Sequence, residues 1–352
     1  MLLEGLQLPL TTPFYSDGRL NLPKLEYNVA RYSRTPAAGF VALSDFGEPT
    51  MLSDDETREA LRKVAEAAAA EKVLVAGVSR DSVAATLELA EAAATFGYDA
   101  VLVKRPSVFR GGSSVRQDKE LLTYFQAVAD RSALAVVLDS AASEGESLQL
   151  EVVIELARHP QIVGLVDGAS GRERVRTIKE ATATVKRDVI VTEVFAAVTA
   201  RMQIRDGAAR GLISTDTLKG GGAALAVAQA KMATKTRTKA VGFQILTGST
   251  TAILDGLRAG AVGAMPGFSA SAPQAVYEVL AAWKDGDEGL AQEKQTRLNA
   301  VAELTEVELG VAGIKFGCDL NGYFGGRPRL PLLPLTGEER AEIEALMHGL
   351  RN

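Results

Sequence analysis

An amine and several carboxylates stand at the ends of short apolar runs in this sequence. Lys104 and Arg105 follow "AVLV", Asp45 follows "GFVALS", and Asp139 closes "LAVVLD". Strand ends carry the chemistry of many α/β proteins, and an amine facing carboxylates suits nucleophilic attack with proton transfer, or a simple ion pair. Alternation along a strand predicts that one of Lys104 and Arg105 faces the inside of the sheet and the other faces the helices.

The composition disfavours other kinds of catalytic site. Cys318 is the single cysteine, which excludes an internal disulfide and a cysteine-based metal cluster. The two histidines, His159 and His348, both lie in helix-like stretches. We therefore expect neither a histidine-dependent triad nor a histidine-rich metal site.

A carboxylate metal site is a further alternative. Four carboxylates near strand ends have the chemistry that Mg²⁺ or Mn²⁺ prefers, namely Asp45, Glu48, Asp139 and Asp167. Carboxylates at such positions are just as often hydrogen-bonded to the backbone or paired with arginine. We therefore predict that the protein uses no metal and no cofactor.

The charge balance argues against a nucleic-acid or membrane partner. The chain has 352 residues, of which 47% are hydrophobic, and a net charge of −5 with both signs interspersed. The sequence has no dense block of lysine and arginine, and no apolar run reaches the roughly 18 residues of a membrane span. Because the N-terminal segment also lacks a signal-like pattern, we predict a cytoplasmic protein whose ligand is a small molecule.

Short apolar runs alternate with alanine-rich stretches of helical period. Each apolar run ends in a cluster of residues typical of turns, which indicates βα units around a parallel sheet. Eight runs qualify as strands: 5–12, 39–45, 72–79, 100–106, 134–140, 162–168, 243–248 and 261–267. Ser53 and Glu56 form a capping box before one helix, and Gly97 ends another. The predicted fold is an α/β (β/α)8 TIM barrel; an open doubly wound sheet is the alternative, although no G-x-G-x-x-G follows the first strand.

One interval between consecutive predicted strands is too long for this βα pattern. The stretch from Val166 to Phe243 is more than twice the roughly 31 residues of a βα unit, which predicts an insertion at about 188–235. Its first part is compatible with an extra strand and helix, and "KGGG" (219–222) indicates a flexible turn in a surface arm rather than a phosphate loop. We predict a barrel over 1–270 and a C-terminal helical region, 271–352, that packs on it.

Several motifs occur in the order of one enzyme family. They are "PLTTPF" (9–14), "FGEPTMLSDDE" (46–56), "VFRGGSS" (108–114), "FQILTGSTTAILDGLRAGAVGAMPG" (243–267) and "DLNGYFGGRPRLPLLPLT" (319–336). In this order the sequence resembles the dihydrodipicolinate synthase / N-acetylneuraminate lyase family of Schiff-base aldolases, including its 4-hydroxy-2-oxoglutarate aldolase branch. The resemblance covers nearly the whole chain outside the insertion. It implies a TIM barrel, lyase chemistry on small oxo acids, and a homo-oligomer, either a dimer or a tetramer.

The resemblance also implies a set of catalytic positions, and this sequence departs from it there. The family's sixth strand ends in a lysine that forms an imine with a 2-oxo acid, and the matching residue is Val166. The fifth-strand tyrosine that transfers protons is matched by Asp139, and the substrate carboxylate is held where Asp45 and Phe46 stand. Beyond the fifth strand, Glu144 occupies the place of an arginine or asparagine.

These replacements change the expected chemistry. Val166 cannot form an imine, and acidic residues in a partly desolvated cleft repel the carboxylate of an oxo acid. One hypothesis makes Lys104 a relocated nucleophile, with Asp139 or Asp45 as its acid/base partner, because transaldolase-like barrels carry their Schiff-base lysine on the fourth strand. In the alternative, Lys104 or Arg105 only neutralises Asp45 or Asp139 in a salt bridge.

Two classes of function therefore stay open. The first is a lyase or aldolase-type enzyme with an altered substrate, and the second is a non-catalytic descendant that binds a small molecule or serves as a scaffold. In either case we expect a polar ligand site at the barrel mouth. Its predicted substrate-binding residues are Thr12, Ser44, Asp45, Glu48 and Thr247.

Overall fold

Eight parallel strands close into a barrel in the computed structural model, which describes residues 1–109, 114–140, 147–168, 171–204 and 235–350. The eight predicted apolar runs each contribute one barrel strand, so the predicted TIM barrel is confirmed and the open sheet is excluded. The barrel strands are β1 (Gly5–Pro9), β2 (Gly39–Ala42), β3 (Val73–Gly77), β4 (Ala100–Lys104), β5 (Ala135–Ser140), β6 (Ile162–Asp167), β9 (Gln244–Thr247) and β10 (Gly263–Ala264).

Helices surround the barrel. Those that alternate with the strands are α1 (Leu22–Tyr32), α2 (Asp54–Ala67), α3 (Val83–Phe96), α4 (Val115–Arg131), α5 (Leu150–Leu156), α6 (Arg172–Ala181) and α7 (Ile253–Arg258). The capping box of Ser53 and Glu56 begins α2, and Gly97, with a left-handed φ of 86°, ends α3, both as predicted. The C-terminal region adds α8 (Pro273–Lys284), α9 (Glu288–Ala302), a π-helix (Glu303–Glu308), α10 (Gly310–Leu320) and α11 (Gly337–Met347).

An insertion separates β6 from its barrel neighbour β9. Within it, β7 (Arg187–Thr192) and β8 (Thr236–Val241) form an antiparallel two-stranded sheet outside the barrel. The Arg187 guanidinium donates to the carbonyls of Ala157 and Ile162, 2.8 and 2.9 Å away, and so fastens β7 to the barrel wall. The "KGGG" stretch lies outside the described residues.

Two apolar layers flank the strands, because a parallel barrel buries both faces of each strand. The inner layer fills the barrel with side chains that include Leu102, Val137, Val166, Leu246 and Met265. The outer, larger layer packs the strands against the helices. Over the described ranges, no helix combines the length and the apolar character that crossing a bilayer requires.

Candidate functional site

Lys104 and Asp139 stand side by side at the carboxyl ends of β4 and β5. They are partners in the β4–β5 register, and Asp139 is in turn the register partner of Val166 on β6. Lys104 continues the alternation of Ala100 and Leu102, whose side chains fill the barrel interior, and Asp139 likewise follows Val137. Three neighbouring strands therefore present an amine, a carboxyl group and an apolar side chain to the barrel mouth.

An ion pair joins the amine to the turn that follows β2. Lys104 Nζ donates to Asp45 Oδ1 over 2.6 Å, and the two side chains are 33% and 54% exposed. At such exposure a pair contributes only about 0–1 kcal/mol to stability, because solvent screens the two charges. The pair fixes the position of the amine at the mouth more than it stabilises the fold.

The environment of Asp139 favours its protonated form. Removal of the carboxyl group from water, together with the negative charge of Asp45, raises the pKa of Asp139 to about 7, although the nearby Lys104 opposes the shift. Both protonation states are therefore populated near neutral pH. A group in that condition can both donate and accept a proton in one reaction cycle.

The turn after β2 has an unusual backbone. It is a single 3₁₀ turn (Asp45–Gly47) between Leu43 and Glu48, which have left-handed φ values of 60° and 54°. Left-handed conformations cost a residue with a Cβ about 1–2 kcal/mol each, so surrounding contacts must hold them. Thr12 supplies one such contact, because its Oγ1 donates to the carbonyl of Gly47 over 2.6 Å.

The Glu48 side chain forms a fully buried ion pair with Lys315 of α10. Its second carboxylate oxygen, Oε2, accepts from the backbone N–H of Arg329 over 2.7 Å. Burial lowers the pKa of Lys315, and the negative charge of Glu48 opposes that shift. Sequence reasoning missed Lys315, whose only signal is its place between Gly313–Ile314 and Phe316–Gly317 in an apolar helical stretch.

Phe46 connects the same turn to the segment that follows β10. A Cβ at Gly267 would lie 2.3 Å from Cζ of the Phe46 ring, so the ring packs directly on the Gly267 backbone. Gly267 and its neighbour Phe268 are buried and form the start of a short 3₁₀ turn. The aromatic ring therefore fills space at the position where the family resemblance placed a polar substrate-holding residue.

Other predicted residues lie apart from Lys104 and Asp139. Thr247 faces the helices, because its Cγ2 meets Gly256 of α7. Asp167 is fully buried on the outer side, where its Oδ1 and Oδ2 accept hydrogen bonds from Arg174 Nε at 3.1 and 3.2 Å. Burial raises the pKa of Asp167, and the positive charge of Arg174 opposes that shift. Ser44 is also buried, and its hydroxyl has no hydrogen-bond partner in the described part of the chain.

The four carboxylates considered as metal ligands do not converge. Asp45 and Asp139 face the mouth, whereas Glu48 and Asp167 are held by Lys315 and Arg174. Among residues with described positions, no group of three or more histidine, cysteine, aspartate or glutamate side chains is placed to hold a metal ion. Among the residues that the structure describes, the chemistry available at the mouth is that of the Lys104 amine and the carboxyl groups of Asp45 and Asp139; Glu144 lies outside these residues.

A buried carboxyl group of the C-terminal region, that of Glu306, holds other mouth segments. Glu306, in the π-helix, accepts from the backbone N–H of Thr250 at 3.1 Å and of Phe268 at 2.9 Å, and also from the Thr250 hydroxyl. Burial raises the pKa of Glu306, which these hydrogen bonds oppose. Glu306 therefore fastens the segments after β9 and β10, and it too was missed from the sequence.

Known proteins match the chain over nearly its full length. The model of the dihydrodipicolinate synthetase family matches residues 2–214 and 221–349. A 4-hydroxy-tetrahydrodipicolinate synthase from Acidiphilium cryptum is 26% identical over 99% of this chain and 98% of its own length. An L-threo-3-deoxy-hexylosonate aldolase from Hypocrea jecorina is 25% identical over 99% of this chain and 95% of its own.

Comparison with solved structures gives the same fold. A prophage protein of the dihydrodipicolinic acid synthase family from E. coli K12, solved in complex with pyruvate, superposes with a TM-score of 0.76 over 99% of both chains at 21% identity. A dihydrodipicolinate synthase from Bacillus anthracis gives the same TM-score at 20% identity and the same coverage. On the family match, this chain belongs to the dihydrodipicolinate synthetase family.

Proposed function

We propose that this chain is a lyase or aldolase-type enzyme that forms an imine between a small carbonyl compound and Lys104, with Asp139 as the proton donor and acceptor. The observation that carries the proposal is the register pairing of Lys104 with Asp139 at the barrel mouth. Family membership and the names of the relatives support the lyase class.

The proposed chemistry needs no group beyond these two and the substrate. The ionised Asp139 takes a proton from the Lys104 ammonium, and the neutral amine attacks the carbonyl carbon. Protonated Asp139 gives its proton to the carbonyl oxygen and takes one from the nitrogen, which yields a carbinolamine. Protonated Asp139 then returns the proton to the departing hydroxyl group, so water leaves and an iminium remains. When a substrate with a hydroxyl group on its β carbon is cleaved, ionised Asp139 takes the proton of that hydroxyl group, the bond between the α and β carbons breaks, and its electrons move to the iminium to give an enamine while a carbonyl product leaves.

Val166 supports the relocation of the amine. Its side chain is 2% exposed at the inner end of β6, in register with Asp139, and we propose that it occupies the family's Schiff-base position. An imine cannot form there because valine has no amine. Lys104 lies two strands away and faces the same interior.

The charges at the mouth indicate the class of substrate. Asp45 carries a negative charge beside Lys104, and Asp139 adds another when it is ionised. Like charges in a partly desolvated cleft repel each other, so we propose a substrate with less negative charge than a 2-oxo acid, such as a neutral or cationic aldehyde or ketone.

A second candidate function is a non-catalytic small-molecule-binding or scaffolding protein. The observation that favours it is the 2.6 Å ion pair of Lys104 with Asp45, which holds the amine in its charged form and away from nucleophilic attack. In that case Lys104 only neutralises the mouth. A homo-oligomer and a cytoplasmic location stay predictions from the sequence.

Borohydride trapping distinguishes the two functions. The protein would be incubated with glycolaldehyde, aminoacetone or pyruvate, reduced with sodium borohydride, and weighed by intact-mass spectrometry beside a K104R variant. The proposed enzyme gains the mass of one reduced adduct, and K104R gains none. A protein that binds the same compounds in a thermal-shift screen but never forms an adduct would be the non-catalytic descendant instead.

A further inference from the structure

A fully buried ion pair connects the C-terminal helices to the mouth. The side chains of Lys315 and Glu48 are both 0% exposed. Lys315 Nζ also donates to the carbonyl of Arg327 over 3.1 Å and lies 4.5 Å from the centre of the Phe14 ring. A buried ion pair is weak evidence for stability, since desolvation of two charges can outweigh their attraction, and its best-attested use is to fix one arrangement.

The arrangement fixed here is that of the turn carrying Asp45. Glu48 has a left-handed backbone, and its N–H donates to the carbonyl of Asp45 over 3.1 Å. Arg329 holds the other side of Glu48 through its backbone N–H, while its guanidinium donates to the carbonyl of Gly18. The Glu48 side chain is therefore held from two directions, and this double support helps to keep the strained residue in place.

Asp45 is in turn the carboxylate that contacts the proposed nucleophile. One continuous path of contacts runs from the Lys315 ammonium to Glu48, through the backbone hydrogen bond to Asp45, and from Asp45 Oδ1 to Lys104 Nζ. We propose that Lys315 is a positioning residue that sets the charge state and location of the Lys104 amine through Glu48 and Asp45. Its relevance to catalysis rests on the proposed function.

The reactivity of the Lys104 amine tests directly whether Lys315 has this positioning role. Acetic anhydride labels any neutral amine, so the rate of Lys104 acetylation against pH, followed by peptide mass spectrometry, gives the midpoint at which the amine loses its proton. The readout needs no substrate and no imine. It therefore stays informative if the borohydride experiment fails, and the two failures are distinguishable.

The variants are K315M, D45N and the double variant K315M/D45N. An ammonium that loses its carboxylate partner gives up its proton more readily, so K315M and D45N each move the Lys104 midpoint down by about one pH unit. The double variant moves it no further than D45N alone, because Lys315 acts through Asp45. If K315M does not fold, K315M/E48Q replaces it, since that pair leaves no uncompensated buried charge.

Lys72 supplies a matched control. It is also a buried lysine, whose ammonium donates to the carbonyls of Thr35 and Ala37 away from the mouth. K72M should lower the melting temperature and leave the Lys104 midpoint unchanged. The proposal is overturned if K315M lowers the melting temperature with no change in the midpoint, or if K72M shifts the midpoint as much as K315M does.

Discussion

Replacing Asp139 with asparagine should change how the stability of the protein depends on pH. Burial and the charge of Asp45 raise the pKa of Asp139 from 3.8 to about 7, so between these pH values the folded protein holds a proton that the unfolded chain has released. The free energy of unfolding of the wild type therefore falls as pH rises through this window. Asparagine has nearly the same shape and carries no titrating proton.

The size of the effect follows from the same pKa. A pKa change of one unit corresponds to about 1.4 kcal/mol. Ionisation of Asp139 therefore lowers the free energy of unfolding of the wild type by no more than about 4 kcal/mol. Because the mouth is partly open to solvent, we expect about 2 kcal/mol. D139N should thus become more stable relative to the wild type by about this amount between pH 4 and pH 8.

Urea unfolding of both proteins at half-unit pH steps provides the assay. Other buried carboxyl groups with raised pKa values, including Asp167 and Glu306, titrate equally in both proteins and cancel in the difference. A difference in unfolding free energy that stays flat from pH 4 to pH 8 would refute the account of Asp139. An opposite slope would show that the folded state prefers the ionised carboxylate.

Three further changes probe the mouth. V166K places an amine in register with Asp139, and we expect a second borohydride adduct, on residue 166, which peptide mapping would detect. G267A forces a Cβ into the Phe46 ring and should lower the free energy of unfolding by about 1–3 kcal/mol, measured by thermal unfolding. In an F46A background the same G267A change should cost nothing. If the losses of the two single variants simply add in the double variant, the contact is contradicted. E306Q weakens a hydrogen-bond acceptor that two mouth segments share, and it should lower the free energy of unfolding by about 1–3 kcal/mol. This loss would appear as a lower urea midpoint, and an unchanged midpoint would argue that Glu306 does not hold these segments.

The barrel could be predicted because its signals are local. Apolar runs, turn residues and caps such as Ser53 and Gly97 lie within one element each, and the structure follows them. It is harder to predict which side of the sheet each strand residue faces. Both faces of a barrel strand are apolar, so the sequence does not show which alternate residues point inward. That is why Thr247, expected at the mouth, faces α7.

The supports of the site could not be predicted from the sequence. Lys315 pairs with Glu48, and Glu306 binds the N–H of Phe268, across long stretches of chain that no short motif spans. A lysine or glutamate in a helix is ordinarily a solvated residue, so neither composition nor spacing marks these two as buried. Only the closed barrel, with the C-terminal helices packed over its strand ends, brings them to the mouth segments.

The central claim is that the reactive amine is on β4 and not on β6. Peptide mapping of the protein after incubation with a carbonyl compound and borohydride tests it most directly, because it assigns the reduced adduct to a residue. We predict one adduct, on Lys104. An adduct on Lys315 or any other lysine, or no adduct with any compound that the protein binds, would contradict the account.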